Sequence, residues 1–448
     1  MPLEKRCVLD SNKNFQLKKP LANSRQPLYL FNKKMSQKSL HDFLPSSVKK
    51  IIGFEDLESK KRTEYLNHTC TFQNQLTMQG VPDGVWDGDG RLYFLVRQDA
   101  IELMDYIDNL SDKGRITNLG RALFGSGGTG KSSLLLFIAN YCKRNNWFVF
   151  YMPLGSNTAE QVFTDNVADV IVSTFFTDNK NAEELYGKEL EESKGVDKLL
   201  RLLKALYSET NHKVLIAIDQ WNIFLQNLRL SKGRDNDFLE FFNTFQTSGK
   251  MLNGIFIGAL SSQSFFSLPI DVFPDATKQN HSITLKPFSN EELNGYIDLA
   301  CSNGTLKDTP SEQKVEDYQY QSGSIPRLLH WMLTDPTGFK KKISDYYGQR
   351  MKKFMERSKD STTNTGSNLL SYENIATSVY LNKRIVCAEA DVASWVESGL
   401  LVQVFDKESE EGNLVEFDAP CPIARSAIYQ QLRSTALDMV TFLMSDKI

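Results

Sequence analysis

Between residues 91 and 302 the chain alternates short, continuous apolar runs with longer amphipathic segments. Four of the runs have the length of a β-strand: Leu92–Val96, Trp147–Met152, Val214–Ile218 and Gly254–Leu260. Strands that are apolar at every position are typical of a parallel sheet that is covered by helices on both faces. The pattern therefore predicts an α/β fold, with any ligand at the carboxyl ends of the strands.

The segments between these runs have helical spacing. Apolar residues at positions 100, 101, 103, 104 and 107 predict an amphipathic helix over Asp99–Leu110. Further helices are predicted over about 131–144, 237–248 and 290–302.

The pattern changes at Asp335–Gly338, where the composition breaks. A basic helix (Lys340–Lys359) and a Ser/Thr/Asn-rich linker are predicted next. Leu400–Phe405 and Val415–Phe417 flank an acidic, glycine-containing turn, and they predict a hairpin that suits the wing of a small winged-helix-like domain.

These changes divide the 448 residues into four predicted segments. They are a basic, polar and partly disordered N-terminal extension (1–80), an α/β core (81–285), a helical lid (286–335) and a C-terminal helical, winged-helix-like domain (336–448).

Composition narrows the classes of protein that fit. The formal charge of −3 provides no global basic field for nucleic acid or for an anionic membrane, and no run of about 18 apolar residues predicts a membrane span. Six scattered cysteines without metal-ligand spacing suit an intracellular protein, cytoplasmic or nuclear. Residues 1–40 carry nine Lys/Arg against Glu4 and Asp10, which fits a disordered basic arm or, alternatively, a mitochondrial presequence.

The most informative motif is a full match to the phosphate-binding loop pattern G-x-x-x-x-G-K-[ST] at residues 125–132, between a predicted strand and a predicted helix. In this pattern backbone N–H groups surround a phosphate, Lys131 neutralises the β/γ oxygens and Ser132 ligates Mg²⁺. The loop predicts a site for ATP or GTP with Mg²⁺. The predicted nucleotide-binding residues are Gly125, Ser126, Gly127, Gly128, Thr129, Gly130, Lys131, Ser132 and Ser133.

Asp219 closes the apolar run Val214–Ile218 and is the predicted Mg²⁺ carboxylate, together with Ser132. Many ATPases with this arrangement place a Glu next, whereas this chain has Gln220. A Gln can orient a water but cannot accept its proton at neutral pH. Hydrolysis is therefore expected to be slow, to use another base or to serve as a switch. Asn222 is either a further polar contact or a turn cap.

Other candidates follow later strands and helices. Ser261, Ser262 and Gln263 follow the run Gly254–Leu260, where they either sense the γ-phosphate or only hydrogen-bond the loop. Arg327, after Pro326 at a helix start, is the predicted lid arginine for the phosphates, against the alternative of a surface residue. Arg229 or Arg234 would act in trans if the chain self-associates.

Several of these motifs resemble the P-loop ATPase module of the Crinkler and retrotransposon-hot-spot families, in the broad AAA/STAND-like group. The resemblance covers about residues 81–435 and is carried by Tyr93–Arg97, the phosphate loop, Val214–Asn222, Gly323–Arg327 and the tail around Asp418–Ile428. It implies an ATPase with Lys131, Asp219, Gln220 and Arg327 in catalytic roles. No nuclease constellation is found, and Leu28–Lys34 matches the N-terminal signature of some Crinklers only in part.

The chain is also similar to the mitochondrial small-subunit ribosomal GTP-binding (death-associated) protein family. Val96-Arg97, Gly127–Lys131, Asp219–Asn222 and Ala259–Gln263 carry this second resemblance. It implies a structural GTP- or ATP-bound ribosomal component in mitochondria. A third interpretation is a scaffold that binds a protein or nucleic-acid partner through its C-terminal domain.

Overall fold

The computed structural model describes residues 51–57, 62–77, 82, 85–88, 91–112, 120–153, 164–224, 241, 251–260, 282–360, 385–387, 400, 402–404 and 415–431. The strands are β1 (Thr69–Phe72), β2 (Trp86–Gly88), β3 (Arg91–Leu95), β4 (Arg121–Phe124), β5 (Phe148–Met152), β6 (Val214–Ile218), β7 (Gly254–Ala259), β8 (Ser282–Thr284), β9 (Ile385–Cys387), β10 (Val402–Val404) and β11 (Val415–Asp418). The helices are α1 (Phe54–Leu57), α2 (Gln98–Asp112), α3 (Lys131–Arg144), α4 (Asp165–Asp178), α5 (Lys180–Leu190), α6 (Gly195–Ser208), α7 (Asn290–Ser302), α8 (Glu312–Ser322), α9 (Pro326–Thr334) and α10 (Phe339–Asp360).

The predicted parallel sheet is confirmed for the runs Trp147–Met152, Val214–Ile218 and Gly254–Leu260. The run that begins at Leu92 is a strand as well, but it forms β3 of a separate antiparallel sheet, because it pairs with β1 and β2. Five strands pair in the order β5-β6-β7-β4-β8, and all four pairings are parallel. β7 separates β4, which leads into the phosphate loop, from β6, which leads into Asp219. Both loops nevertheless leave the sheet at its carboxyl edge, because all the strands point the same way.

Alternation along β6 decides which side of the sheet Asp219 faces. Leu215 and Ala217 pack into one hydrophobic cluster with α3, whereas Ile216 and Ile218 pack into another with α4 and α6. Side chains two positions apart share a face of a strand. Asp219 therefore continues the α3 side, which is the side where the phosphate loop enters its helix.

Residues 51–57 and 62–77 pack onto this α/β core, although the sequence analysis placed them in the N-terminal extension. β1 joins an antiparallel sheet of order β1-β3-β2, and Phe54 and Phe72 pack on Phe137 of α3. Arg62 is 6% exposed, donates to Asp105 at 2.7 Å and to the Tyr141 hydroxyl at 2.6 Å, and also pairs with Asp108. A few buried anchors in a polar segment are enough to hold it, which the average composition did not reveal.

The segment after β8 is helical, as predicted. α9 shares a hydrophobic cluster with α10 and with residues 400, 419, 421, 424, 427 and 428. The predicted hairpin is confirmed, since β10 pairs antiparallel with β11, and β9 adds a third strand in the order β10-β11-β9. Residues 422–431 are helical. The cluster crosses the predicted boundary between residues 335 and 336, so α9 is packed against the C-terminal region.

Candidate functional site

The phosphate-loop motif forms the turn between β4 and α3. Gly125 has φ 130° and Gly128 has φ 91°, both in the region that side chains rarely adopt. A Cβ at Gly125 would lie 2.4 Å from the Leu285 carbonyl oxygen, and one at Gly128 would lie 2.8 Å from the Cβ of Arg327. Loop conformation and close packing therefore require glycine at both positions. The motif specifies Gly125, whereas Gly128 stands at one of its variable positions.

Lys131 occupies the first position of α3 and is buried. Its Nζ donates to the carbonyl oxygens of Gly125 at 2.6 Å and of Ser126 at 2.9 Å. Burial, together with the charges of Arg327 and Arg350, lowers the pKa of Lys131 to about 7, whereas Asp219 opposes the shift. A cation in this environment is stabilised by an anion placed beside it, because an anion restores the charged form.

Ser132 and Asp219 meet across the loop. Their side chains are hydrogen-bonded, and the backbone N–H of Gln220 donates to Asp219 Oδ1 at 2.9 Å. Burial raises the pKa of Asp219, against the opposing effects of Ser132, the Gln220 amide, Lys131 and Arg327. A buried carboxylate and a hydroxyl at the mouth of a phosphate loop are the oxygen ligands that suit Mg²⁺.

The donor set fits Mg²⁺ although it contains one carboxylate. Within the described ranges, no group of three or more His, Cys, Asp and Glu side chains is placed to hold a metal ion. Mg²⁺ at a phosphate site needs only one or two protein ligands, because phosphate oxygens and water supply the others.

Gln220 follows Asp219 at the turn that leads into helical residues 221–224. Its φ of 51° is unusual for a residue with a side chain, and its carbonyl accepts from Ile223 at 2.9 Å and Phe224 at 3.0 Å. Asn222 is 7% exposed and lies inside this helical turn. The turn places an amide side chain, rather than a carboxylate, next to the candidate Mg²⁺ ligand.

Arg327 joins the lid to the loop, and its predicted role toward the phosphates stays a prediction. Pro326 is at the first turn of α9, where its missing N–H costs nothing. The backbone N–H of Arg327 donates to the Gly128 carbonyl at 3.1 Å, and its Nη1 donates to the Tyr346 hydroxyl at 3.1 Å. The charge of Arg327 acts on both Lys131 and Asp219.

Arg97 also belongs to the site, although no role was predicted for it from the sequence. Arg97 is 7% exposed and donates to the carbonyls of Thr129 and Lys286 and to Glu292, each at 2.9 Å. Glu292 also closes the capping box at the start of α7 with Ser289. Arg97 therefore links the phosphate loop to α7, the first helix of the lid.

Two more residues come from α10. The guanidinium of Arg350 lies 4.4 Å from the ring centroid of Tyr346, the residue that also receives Arg327. Arg350 is 8% exposed, and its charge reaches Lys131. The sequence signal for this pair is the i, i+4 spacing of Tyr346 and Arg350. Because many lysines surround them in the same helix, the spacing alone did not distinguish Arg350 from a solvated residue.

A narrow pocket adjoins the phosphate loop on the side of Arg97. Its walls come from β3, the start of α2, the loop, α7 and α9. The lining residues include Arg97, Asp99, Thr129, Phe288, Tyr296 and Pro326. The slot is mostly apolar, with Arg97, Asp99, Thr129 and Ser133 as its polar side chains.

The remaining predicted residues fall elsewhere. Ser261, Ser262 and Gln263, Arg229 and Arg234, and the stretch Leu28–Lys34 lie outside the described residues. Of the rest, Gly125–Ser133, Asp219, Gln220 and Arg327 are brought to one edge of the sheet.

The topology and the loop geometry together define an α/β P-loop NTPase fold with a parallel sheet flanked by helices. The family model of the mitochondrial ribosomal death-associated protein 3 matches residues 94–162, which is well under half of the chain. The matched stretch contains Arg97, the phosphate loop and α3. No curated protein matches the sequence.

Solved structures with similarity to the chain include a Walker-type ATPase of Pyrococcus abyssi, at 14% identity and a TM-score of 0.44, covering 74% of this chain and 94% of that one. The ORC2 protein of Aeropyrum pernix with ADPNP and ADP follows at 14%, with a TM-score of 0.41 and coverages of 76% and 94%. AMPPCP-bound DnaA from Aquifex aeolicus has 13% sequence identity and a TM-score of 0.34, and the match covers 79% of this chain and 96% of that one. With scores below 0.5, these similarities support no functional inference.

Within the residues described, no helix is both long and apolar enough to cross a membrane.

Proposed function

We propose that the chain binds a nucleoside triphosphate with Mg²⁺ at the phosphate loop and hydrolyses it slowly, as a conformational switch. The observation that carries the proposal is the convergence of Lys131, the hydrogen-bonded pair Ser132–Asp219 and Arg327 on one loop. These groups come from three separate parts of the sequence. Their charges complement a triphosphate and its metal ion.

Each group has a defined task in this proposal. Loop N–H groups would surround the β-phosphate, Lys131 would neutralise the β/γ oxygens, and Ser132 with Asp219 would hold Mg²⁺, which neutralises phosphate charge. Gln220 orients the attacking water but cannot accept its proton. Hydrolysis is therefore slow, and the bound triphosphate persists. The side chain of Arg327 contacts the terminal phosphate in this proposal. Its backbone hydrogen bond to Gly128 couples nucleotide binding in the loop to the position of α9.

ATP and GTP both remain candidate ligands. The pocket beside Arg97 offers Asp99 and backbone groups to the edge of a base. The resemblance to AAA/STAND-like, Crinkler-type ATPases favours ATP, and it rests on the sequence motifs alone.

The second candidate function is a nucleotide-bound structural component of the mitochondrial small ribosomal subunit. The family match over residues 94–162 favours it, because it covers Arg97 together with the phosphate loop. In that case the nucleotide stabilises the fold instead of powering a cycle. A partner or nucleic acid bound through residues 336–448, and self-association, are compatible with either candidate.

The test is binding and turnover of ATP and GTP by the purified full chain, with and without Mg²⁺. Lys131→Ala removes the buried cation and is expected to weaken binding by at least 100-fold, since a hydrogen bond between charged groups contributes about 1.5–3 kcal/mol and the Coulomb attraction adds to it. Lys204→Ala, at an exposed position on α6, is the matched control and is expected to bind like the wild type.

The outcomes separate the candidates. Mg²⁺-dependent turnover that Lys131→Ala abolishes supports the switch ATPase. Tight binding without turnover, with the protein in mitochondrial ribosome fractions, supports the structural role. A wild-type chain that binds neither nucleotide would contradict both.

A further inference from the structure

α10 turns one face toward the lid helix α9. Tyr346 and Arg350 are four residues apart and therefore share that face. The Tyr346 ring packs edge-on against Trp331 of α9, with centroids 5.4 Å apart. Arg350 is buried, whereas Lys340, Lys341, Lys342 and Lys352 of the same helix are exposed. Lys342, one turn before Tyr346, shares this face, with its Nζ 4.6 Å from the ring centroid of Trp331. Arg350 therefore differs from these lysines in its burial and not in its charge.

Tyr346 brings two guanidinium groups together. Arg327 of α9 lies 5.9 Å from the ring centroid and donates to the hydroxyl at 3.1 Å, while Arg350 of α10 lies 4.4 Å from the same centroid. The ring attracts each cation, but two like charges beside one ring repel each other. A multiply charged anion between them converts that repulsion into attraction.

Arg327 connects this pair of arginines to the phosphate loop. Its backbone N–H donates to the Gly128 carbonyl, and its guanidinium meets Arg350 at Tyr346. Lys131 belongs to the loop itself, so three cations are linked in sequence from the loop to α10. Several cations close together suit a polyphosphate better than a single small anion.

We propose that Arg350 contacts the terminal phosphate of a bound nucleoside triphosphate, so that α10 is tied to the nucleotide state together with α9. The inference rests on the proposed nucleotide site and adds a residue to it from the C-terminal side. The loop N–H groups surround the inner phosphates, so a group that approaches from the lid meets the phosphate that protrudes. Arg350 then discriminates triphosphate from diphosphate.

The consequence reaches beyond the site. α10 shares its core with residues 419–428, and Gly323, just before α9, lies against the Pro420 carbonyl. Loss of the terminal phosphate would remove the anion that holds Arg350 beside Arg327. The helix that carries the C-terminal region would then pack less tightly on the lid.

The experiment measures dissociation constants of the full chain for fluorescent (mant) ATP, ADP, GTP and GDP with Mg²⁺. The variants are Arg350→Gln, Arg350→Lys and, as the matched loss of a cation from the same helix, Lys352→Gln. Arg350→Gln is expected to weaken triphosphate binding by roughly tenfold or more and diphosphate binding by less than about threefold. Arg350→Lys keeps the charge but not the planar fork, and it is expected to fall between.

A second measurement needs no variant. Hydrogen exchange of the wild-type chain is expected to slow in residues 339–351 with triphosphate but not with diphosphate. An unchanged ratio of triphosphate to diphosphate affinity in Arg350→Gln, or exchange in 339–351 that ignores the terminal phosphate, overturns the inference. If Lys131→Ala abolishes binding while Arg350→Gln binds normally, only this inference fails. A wild-type chain that binds no nucleotide overturns the proposed function as well.

Discussion

The loop side of the candidate site, Gly125–Ser132 with Asp219, and its lid side, α9 with α10, supply positive charge in different ways. On the loop side the charged residues are held by backbone geometry, since Lys131 donates to two carbonyls of its own loop. On the lid side two arginines are held by the side chain of Tyr346. A loop of this kind is a rigid receptor, whereas charges held through an aromatic side chain can change partners when an anion binds or leaves.

Two sets of hydrogen bonds among the described residues join the phosphate loop to the helices beside it. The Arg327 N–H bonds the Gly128 carbonyl in front of the loop, and Arg97 bonds Thr129, Lys286 and Glu292 behind it. In the proposed switch, these contacts would carry the nucleotide state from the loop to the helices that pack beside it. The substitutions below weaken one side or one contact at a time.

The largest effect is expected from Arg97→Ala, which breaks the rear contact. Glu292 is 13% exposed and would lose its buried partner, so the free energy of unfolding should fall by about 3–5 kcal/mol. Nucleotide binding should weaken too, because Thr129 loses its support. Chemical denaturation and nucleotide titration measure the two effects.

Arg62→Ala is the matched control for Arg97→Ala. Arg62 is as deeply buried, but its acidic partners Asp105 and Asp108 are half exposed, and its contact with α3 is at Tyr141, near the end of the helix away from the loop. Stability should fall by roughly 1–3 kcal/mol with nucleotide affinity unchanged in the folded protein. Equal loss of nucleotide affinity in both variants would show that Arg97 acts only through global stability.

The next effect is that of Asp219→Asn, which changes the loop side alone. The amide keeps the size of the side chain but removes the charge beside Ser132. Mg²⁺ should then enhance nucleotide binding about 10–100-fold less than in the wild type, the range found when metal-site partners are replaced. Affinity in the absence of Mg²⁺ should not fall, because Asp219 repels the phosphates. A wild-type response to Mg²⁺ in this variant would exclude Asp219 as a ligand.

The smallest effect of a substitution at the site is expected from Gly128→Ala, which crowds the contact between Gly128 and Arg327. The new Cβ would lie 2.8 Å from Arg327 Cβ and 3.1 Å from Ile325 Cγ2, and φ is 91°. The strain should destabilise the protein by roughly 1–2 kcal/mol and separate α9 from the loop.

Gly348→Ala on α10 is the opposite control for Gly128→Ala, because its Cβ would meet nothing within 4 Å. An alanine in a helix should raise stability by about 0.5–1 kcal/mol. Thermal unfolding distinguishes the two signs, and destabilisation by both substitutions would contradict the assignment of strain to Gly128.

Prediction from sequence succeeded where structure is local. The helix α3 begins and ends where predicted, over 131–144, and β6 has the bounds of its apolar run. Continuous apolar strands required a sheet buried on both faces, and alternation along β6 places Asp219 on the side of α3. These features depend on period and on a contiguous motif, so neighbouring residues are sufficient to specify them.

Prediction fell short where a side chain finds partners far along the chain. Arg97 meets Glu292 across 195 positions, and Arg62 meets Tyr141 across 79. Nothing in the local pattern separates a buried arginine from an exposed one. Arg350 shows the same problem, because it stands in a helix whose lysines at 340–342 and 352 face the solvent.

The sequence by itself determined the α/β class, the phosphate loop and the candidate carboxylate, because strand period, glycine conformation and the order of the motif are encoded by adjacent residues. Only the tertiary structure decided that Ser132 meets Asp219, that Arg97 supports the loop, and that Arg327 and Arg350 converge on Tyr346. The physical reason is that the pKa of a charged group and its interaction energy depend on burial and on neighbouring charges. Both are set by the packing of elements that are distant in the chain.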